Sequence, residues 1–599
     1  MRQFLKQTFA SLVGTLVAVI LLVALGTSSL VFLIVAAVST SEEPSIKNKS
    51  VLVFDLSTSI RDTEPPVSLG EAVSGDVPAA IPLRQVLQNL EKATQDKRIV
   101  ALFLNGSNGI GNTDYATLAE IRPALEQFRE SGKKIIAYGV DWGEREYYLG
   151  SVADEVILNP MGIVEMNGLS SEQVFFSQAL DKFGIGVQVI RVGRYKAAVE
   201  PFIQQTMSPE NRQQIAGLLG DLWGEFIADV GTSRKIPANK LQALANTKGI
   251  FLASEAKAQG LVDRVAYFDE VAAELREISG KGDDEQLFRK VSLEGYSDIS
   301  VKAFKQESSQ NKIAIVYAEG AIVGGRGEDG QIGSARINEQ LRDVREDEDV
   351  KAVVLRINSP GGSATASELI LREIQLIRQE KPVIVSMGDV AASGGYWIAT
   401  GADYIFAEPS TITGSIGVFG LLPNLEKISN DNGVAWEIVK TGQLADLDTV
   451  VRPKTPQELA LYQRLVNQVY DLFLDKVAKS RNIPKEKVAQ IAQGRIWSGQ
   501  DAKQIGLVDE LGGIESAIAY AAKKAELDED WEAEEYLEEP DWERQLIDML
   551  QEEAHIDSLT ASNPFSSEFN KMKKDLAILQ LLSDSKGVYA LLPFEFRIK

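Results

Sequence analysis

The chain carries one domain twice, and this duplication constrains its fold more than any local motif. At a fixed offset of 249 residues, Gly139 matches Gly388, Tyr147 matches Tyr396, Ala153 matches Ala402 and Asp154 matches Asp403. Pro160/Pro409, Gly168/Gly417, Gly184/Gly433 and Gly193/Gly442 continue the series. Two copies of one pattern build two copies of one core. The 599 residues, which length alone would divide into about three or four domains, therefore reduce to two large domains and terminal pieces. The copies differ where chemistry can sit. Ser393 in the second copy takes the place of Glu144 in the first, and Lys196 in the first takes the place of Ala445 in the second. Within each copy the two positions are 52 residues apart, and neither copy holds both residues. A site formed inside a copy would be dead twice over, whereas a copy–copy contact leaves one complete Ser393–Lys196 pair.

Each copy alternates β-branched runs with longer helical patterns. In the first, Ser50–Leu56, Ile99–Leu104, Lys134–Tyr138 and Ala153–Leu158 read as strands and Ala116–Glu130 as an amphipathic helix. In the second, Ile313–Tyr317, Ala352–Ile357, Pro382–Ser386 and Ala402–Ala407 repeat the strands, and Ser367–Gln379 repeats the helix. Gly-Leu-Val-Asp closes each copy, at 260–263 and 506–509. Strand–helix–strand alternation predicts an α/β protein with parallel sheets flanked by helices. The expected divisions are a first repeat over 47–296, a linker over 297–311, a second repeat over 312–525 and an acidic C-terminal segment over 526–599.

What the chain lacks narrows its chemistry. It has no cysteine, so thiol nucleophiles, disulfides and cysteine-ligated zinc are excluded. Its one histidine, His555, lies in the acidic segment and is a poor member for a Ser-His-Asp triad. A hydrolase built on this chain must find its base elsewhere, and nothing in the sequence calls for a metal or cofactor. The net charge is −23, and Glu526 to Asp557 alone holds fifteen acidic residues against Arg544. Such a block reads as a solvated connector, and no clustered basic surface points to nucleic acid. Helical stretches such as Met572–Leu582 follow it with no assigned role.

The N-terminus supplies a compartment. No charged residue lies between Lys6 and Glu42, and Leu12–Val38 is nearly continuously apolar. That is longer than the apolar region of a cleaved signal and long enough to span a bilayer. The reading is a cytoplasmic N-terminus over 1–8 and an uncleaved transmembrane anchor over 9–39. Arg2 and Lys6 before the span, and Glu42 and Glu43 after it, put the rest of the chain on the far side, the periplasm of a bacterium.

Three segments carry candidate chemistry. In Gly388-Asp389-Val390-Ala391-Ala392-Ser393-Gly394-Gly395-Tyr396, Ser393 falls between a strand and a helix start, among residues small enough for a substrate backbone to approach. Free N–H groups gather at such a helix start. Asn358-Ser359-Pro360-Gly361-Gly362 follows another strand, and its paired glycines can turn backbone N–H groups towards an anion. The first copy has Asn105-Gly106-Ser107-Asn108-Gly109 there and has lost the Pro-Gly-Gly. Lys196 lies in Arg191-Val192-Gly193-Arg194-Tyr195-Lys196-Ala197-Ala198-Val199-Glu200. To act as a base it must be neutral near pH 7, about three units below the usual lysine value of about 10.4. Burial beside Ala197, Ala198 and Val199, with like-charge repulsion from nearby arginines, is the expected cause.

With Gly193-Arg194-Tyr195-Lys196-Ala197-Ala198-Val199-Glu200-Pro201-Phe202, Asn358–Gly362, Ala391–Tyr396 and Thr413-Gly414-Ser415-Ile416-Gly417 in this order, the chain resembles the long, duplicated form of the signal peptide peptidase A family over nearly all of 50–525. The resemblance implies two tandem Clp protease/crotonase-like domains, a serine–lysine dyad, and a membrane-tethered homotetramer facing the periplasm from the inner membrane. It also implies signal peptides left after preprotein cleavage, and other apolar peptides, as substrates. By position it makes Ser393 the nucleophile, Lys196 the general base and Ser415 an orienter of the lysine amine, with Gly361, Gly362 and Gly394 in the oxyanion region; Asp389 receives no role. Two other functions compete. A crotonase-type acyl-CoA enzyme shares the backbone anion site, but an anchor exporting the domains argues against a cytosolic substrate. A non-catalytic membrane scaffold leaves the complementary retention of Ser393 and Lys196 without a reason.

Overall fold

The computed structural model describes residues 46–64, 80–282, 286–297, 309–537 and 589–592. The expected anchor over 9–39, the N-terminus over 1–8, His555, the stretch 572–582 and most of the linker fall outside these residues. Among the described residues no helix is long and apolar enough to cross a membrane.

The β-branched runs of the first copy form a six-stranded parallel sheet in the order Arg264–Val265, Glu155–Leu158, Lys134–Gly139, Ile99–Asn105, Ser50–Asp55, Lys290–Ser292. Strands buried on both faces favour such near-continuous apolar runs over alternation. The second copy builds the matching sheet from Tyr404–Ala407, Val383–Ala392, Val350–Ser359 and Lys312–Glu319, all parallel. Val383–Ala392 extends six residues beyond the expected end at Ser386. Its first half pairs with Tyr404–Ala407, then Val390–Ala392 turns to Ile412–Gly414. Buried Ala391 and Ala392 are small enough to let the strand run on beneath its neighbours up to Ser393.

Two findings differ from the expected layout. A strand of the acidic segment, Glu532–Tyr536, adds itself parallel to Lys312–Glu319, with Lys312 Nζ 2.8 Å from Glu534. That stretch is a sheet edge and not a solvated connector. The other difference is a separate sheet, ordered Gln331–Gly333, Ala321–Val323, Gly361–Ser363, Tyr589–Leu591, Val418–Asn424, Gly186–Val192. It combines first-copy chain (Gly186–Val192), second-copy chain and a strand from the far C-terminus.

The copies share a core. Helix Ile514–Lys524 of the second copy buries Ile518 and Ala521 in the same cluster as Leu118 and Ile121 of the first. Beside it, fully buried Arg356 donates to Asp62 at 2.8 Å and to Glu120 at 2.6 Å. Glu120 also accepts from the Ile514 N–H at 2.6 Å, so the guanidinium and both carboxylates each have a hydrogen-bond partner.

Candidate active site

Strand Val383–Ala392 delivers Ser393 to a sharp turn before the short helix Gly394–Ala399. Ser393 sits at φ +55° and ψ −110°, outside the regions that side-chain-bearing residues prefer. Two backbone bonds hold it there, from Ser393 N–H to Gly414 O at 2.9 Å and from Trp397 N–H to Ser393 O at 2.8 Å. Backbone strain of this kind persists only where surrounding structure enforces it. Ser415, the other serine of the cluster, also has a positive φ, of 51°.

Lys196 arrives from the first copy. Strand Gly186–Val192 runs antiparallel to Val418–Asn424, with Val192 opposite Val418, and the chain then turns inward. Lys196 Nζ lies 2.8 Å from Ser393 Oγ, 2.9 Å from Ser415 Oγ and 3.0 Å from the Ser415 carbonyl oxygen. A neutral amine has two N–H donors and one lone pair. The Ser415 carbonyl can only accept, so one N–H goes to it and the other to Ser415 Oγ, leaving the lone pair for the Ser393 hydroxyl proton. All three side chains have no solvent exposure. Burial holds the Lys196 amine well below the usual lysine value. The expected arginine repulsion is not part of the cause; Arg191 lies instead 3.9 Å from the Glu200 carboxylate. Two glycines make room for the lysine stem: a Cβ would come within 2.6 Å of Lys196 Cβ at Gly494 and within 3.2 Å of its Cδ at Gly417.

The three candidate oxyanion glycines surround one carbonyl oxygen, that of Ala590. Strand Tyr589–Leu591 runs antiparallel to Gly361–Ser363, with Ala590 opposite Gly362. Leu592 N–H donates to Pro360 O at 2.6 Å, which places Gly362 and Ala590 on the next hydrogen-bonding pair of the ladder. A Cβ at Gly361 would stand 2.2 Å from the Ala590 oxygen, and one at Gly394 would stand 3.0 Å from it. Gly361 has φ +97°, and its N–H donates to Ser359 Oγ at 3.1 Å. Ser359 in turn donates to Gly320 O at 2.6 Å. Gly361 thus lets an extended chain approach while its own N–H is taken by Ser359.

The groove itself is apolar. Tyr589 and Leu591 pack with Phe202, Phe419 and Leu421, and Leu592 packs with Leu218 and Leu222. At the matching places of the first copy nothing reactive remains. Glu144 Oε1 accepts from Asn167 N–H at 2.7 Å and Gly168 N–H at 3.2 Å, and Ala445 is exposed. Asp389 accepts from the Thr117 N–H at 3.0 Å and its hydroxyl at 2.7 Å, joining the copies. Burial, with Asp114 nearby, pushes its carboxyl up to about 7. Ser359, Phe202 and Gly417 stood within motifs singled out for the site without these roles, and Gly494 and the other groove residues lay outside every motif. Among the described residues no group of three or more His, Cys, Asp or Glu is placed to hold a metal ion.

An α/β fold of parallel sheets, with a buried serine and lysine beside a groove that takes extended chain, defines a hydrolase of peptides. Residues 127–281 and 375–528 match the model of Peptidase family S49, and 305–411 match that of Clp protease. The chain is similar to Protease 4 of Salmonella typhi, 37% identical over 488 residues that span 80% of this chain and 76% of that protein. It is 34% identical to Protease 4 of Haemophilus influenzae over 581 residues, 93% of this chain and 94% of the relative. Serine protease SPPA, chloroplastic, of Arabidopsis thaliana is 36% identical over 457 residues, 75% of this chain and 66% of the relative. The chain belongs to Peptidase family S49, and it is a serine peptidase.

Proposed function

We propose that this peptidase is a membrane-anchored endopeptidase that works through a Ser393–Lys196 dyad and degrades cleaved signal peptides and other apolar peptides. The observation that carries this reading is the 2.8 Å approach of Lys196 Nζ to Ser393 Oγ in a pocket closed to water. The apolar groove beside it supports a peptide substrate, since the chain's own Tyr589–Leu591 already lies there as an added strand. Strand addition gives affinity through main-chain bonds, and apolar walls select apolar side chains. The apolar stretch 12–38 supports an anchor in the bacterial inner membrane with the catalytic domains in the periplasm, and the motif resemblance supports a homotetramer.

The mechanism is acyl transfer. The Lys196 lone pair takes the Ser393 hydroxyl proton as Oγ attacks the peptide carbonyl carbon. Gly362 and Gly394, beside the groove carbonyl, hold the oxyanion, each such donor being worth roughly 3 kcal/mol. Protonated Lys196 gives its proton to the leaving amine, and water, deprotonated by the restored base, hydrolyses the acyl-enzyme. Ser415 keeps the amine pointed at Ser393 throughout. Hydrolysis of an apolar signal peptide by the wild type, Ser393→Ala and Lys196→Met tests the reading. Both variants are expected to lose on the order of 10³-fold or more in kcat/KM. Full activity in either would remove the dyad. Acylation of Ser393 by a serine-directed reagent is expected to vanish with Lys196→Met, since the nucleophile then has no base.

A further inference from the structure

Two buried amides outside the reactive pair grip the loop that carries Lys196. Both stand on the first turns of the long helix Pro209–Arg234, capped by Ser208, whose Oγ accepts from the Asn211 N–H at 3.1 Å. Gln214 Nε2 donates to the Tyr195 carbonyl oxygen at 3.1 Å, and Gln214 Oε1 accepts from the Ile496 N–H at 3.2 Å. Its remaining N–H goes to Asn211 Oδ1 at 3.0 Å. A carbonyl at one end and an N–H at the other admit only this orientation of the amide, which uses both donors and the oxygen. Asn211 in turn donates to Glu200 Oε2 at 3.1 Å, on the other side of the lysine. Gln214 and Asn211 are each 2% exposed, and amides buried so deeply are costly unless their bonds are made.

The two groups that Gln214 bridges belong to opposite halves of the reactive pair. The Tyr195 carbonyl is part of the planar peptide group that ends at Lys196 N, the last rigid unit before the lysine stem. Ile496 opens the strand Ile496–Ser498 and lies opposite Gly414, whose carbonyl receives the Ser393 N–H at 2.9 Å. Just before it, Gln493 O accepts from the Tyr195 N–H at 2.9 Å and Arg495 O from the Ser415 N–H at 2.7 Å. One side chain of the first copy thus ties the peptide group of the base to the frame in the second copy on which both serines turn. The duplication separates this role from a general need of the fold. Helix Pro456–Arg481 repeats Pro209–Arg234 at an offset of 247, with the same length and a hydroxyl cap, Thr455, in place of Ser208. Where the first copy has Gln214 the second has Leu461, and where it has Asn211 the second has Glu458, which binds Arg452 and the Thr455 N–H. The copy without the lysine has kept the helix and not the amides.

We propose that Gln214 is a positioning residue for the reaction: by bridging the Tyr195 carbonyl to the Ile496 N–H it fixes Lys196 Nζ against Ser393 Oγ across the contact between the copies. This role rests on the Ser393–Lys196 dyad, and Gln214 acts on it through the backbone alone. A lysine stem is flexible, so the place of its amine is set by how firmly its base is held. Without the bridge the carbonyl and the N–H are left unpaired in a closed pocket, and water that enters to serve them reaches the amine as well. The amine then drifts from Ser393, and its pKa climbs back towards the ordinary lysine value. The charged groups about this loop are Arg191 with Glu200, and Arg194 and Arg495 over the Tyr195 ring. An apolar residue in place of Gln214 removes none of them.

Full-length Gln214→Leu, which installs the residue of the second copy, is compared with the wild type in detergent. Gln214→Met, with an unbranched stem of similar length, decides the matter if the branched leucine does not fit. Hydrolysis of an apolar signal peptide is expected to lose about 10- to 100-fold in kcat with KM within about twofold, since the base is misplaced and the groove is untouched. The rising limb of kcat/KM against pH is expected to move up by about one pH unit, because more of the lysine is protonated at a given pH. The rate of Ser393 acylation by a serine-directed reagent should shift with it. A glutamine that only packed the helix would lower stability and leave both pH profiles of the folded protein where they were. Wild-type kcat and an unshifted limb in either folded variant would overturn the proposal, whatever the loss of stability. Lys196→Met in the same assays separates the two readings. Acylation retained there removes the dyad and the bridge with it. Acylation lost there but unchanged in Gln214→Leu and Gln214→Met removes the bridge and leaves the dyad standing.

Discussion

At Ser393 the backbone carries a conformation that a serine resists, φ +55° with ψ −110°, and two main-chain bonds hold it there. Glycine relieves such strain and alanine does not. Ser393→Gly is therefore expected to be more stable than Ser393→Ala by about 1 kcal/mol in urea unfolding, with hydrolysis lost in both. Equal stabilities would show that the turn is unstrained. Lys196 makes a pH-dependent prediction. Its folded-state pKa is lowered, whereas the unfolded chain titrates near the usual lysine value of about 10.4, so between the two the unfolded state binds more protons. Relative to Lys196→Met, wild-type stability should rise with pH by up to about 1.4 kcal/mol per unit and level off near 10.4. Over the lower part of that window, kcat/KM should rise as Lys196 loses its proton. A stability difference flat in pH would mean the lysine is buried charged. Ser393 and Lys196 were legible because the duplication showed each copy missing one of them. The ties of Ser359 to Gly320 and of Gly494 to the lysine stem were not, since those partners lie far off in sequence.

Strands were legible as elements, but their partners were not. β-branched runs marked Ile99–Asn105 and Val350–Ser359, yet no local pattern tells that Gly186–Val192 leaves its own copy for the sheet of the other. Nor does a run of acidic residues announce the edge strand Glu532–Tyr536, because its stability comes from Lys312 and the open edge beside it. The groove strand Tyr589–Leu591 is the most consequential of these non-local pairings. It is at most 2% exposed, and it lies against Gly361–Ser363 and Phe419, where an extended substrate would have to add itself. A segment tethered to its own site competes at an effective concentration reaching the millimolar range. A chain lacking 589–599 is expected to show KM for an apolar peptide lowered by roughly tenfold or more, with kcat little changed. A synthetic peptide spanning the removed residues should inhibit it competitively. Unchanged KM, with no inhibition by the peptide, would mean that substrate enters elsewhere.

Over the whole molecule, the duplication announced two domains, and the structure joins them through a shared hydrophobic cluster with a charged centre, beside a core that each copy keeps for itself. Arg356 comes from the second copy and its two carboxylate partners, Asp62 and Glu120, from the first, all buried. Around them, helix Ile514–Lys524 packs with Leu118 and Ile121 of the other copy. The register between copies thus depends on groups that hydropathy alone would leave at the surface, which is why the sequence yielded the repeats but not the way they lock. It is also the register on which the reactive pair depends, since Lys196 reaches Ser393 only across this contact. Removing the guanidinium leaves two carboxylates buried without a counter-charge, and breaking a buried pair from one side typically costs about 3–5 kcal/mol. Arg356→Ala is expected to lose that much stability in denaturant unfolding. Because both copies contribute to the buried centre, the loss should move one shared transition, followed in parallel by Trp142 of the first copy and Trp397 of the second. Two separated transitions, with only the second copy shifted, would mean that the copies fold independently and that Arg356 serves its own sheet alone.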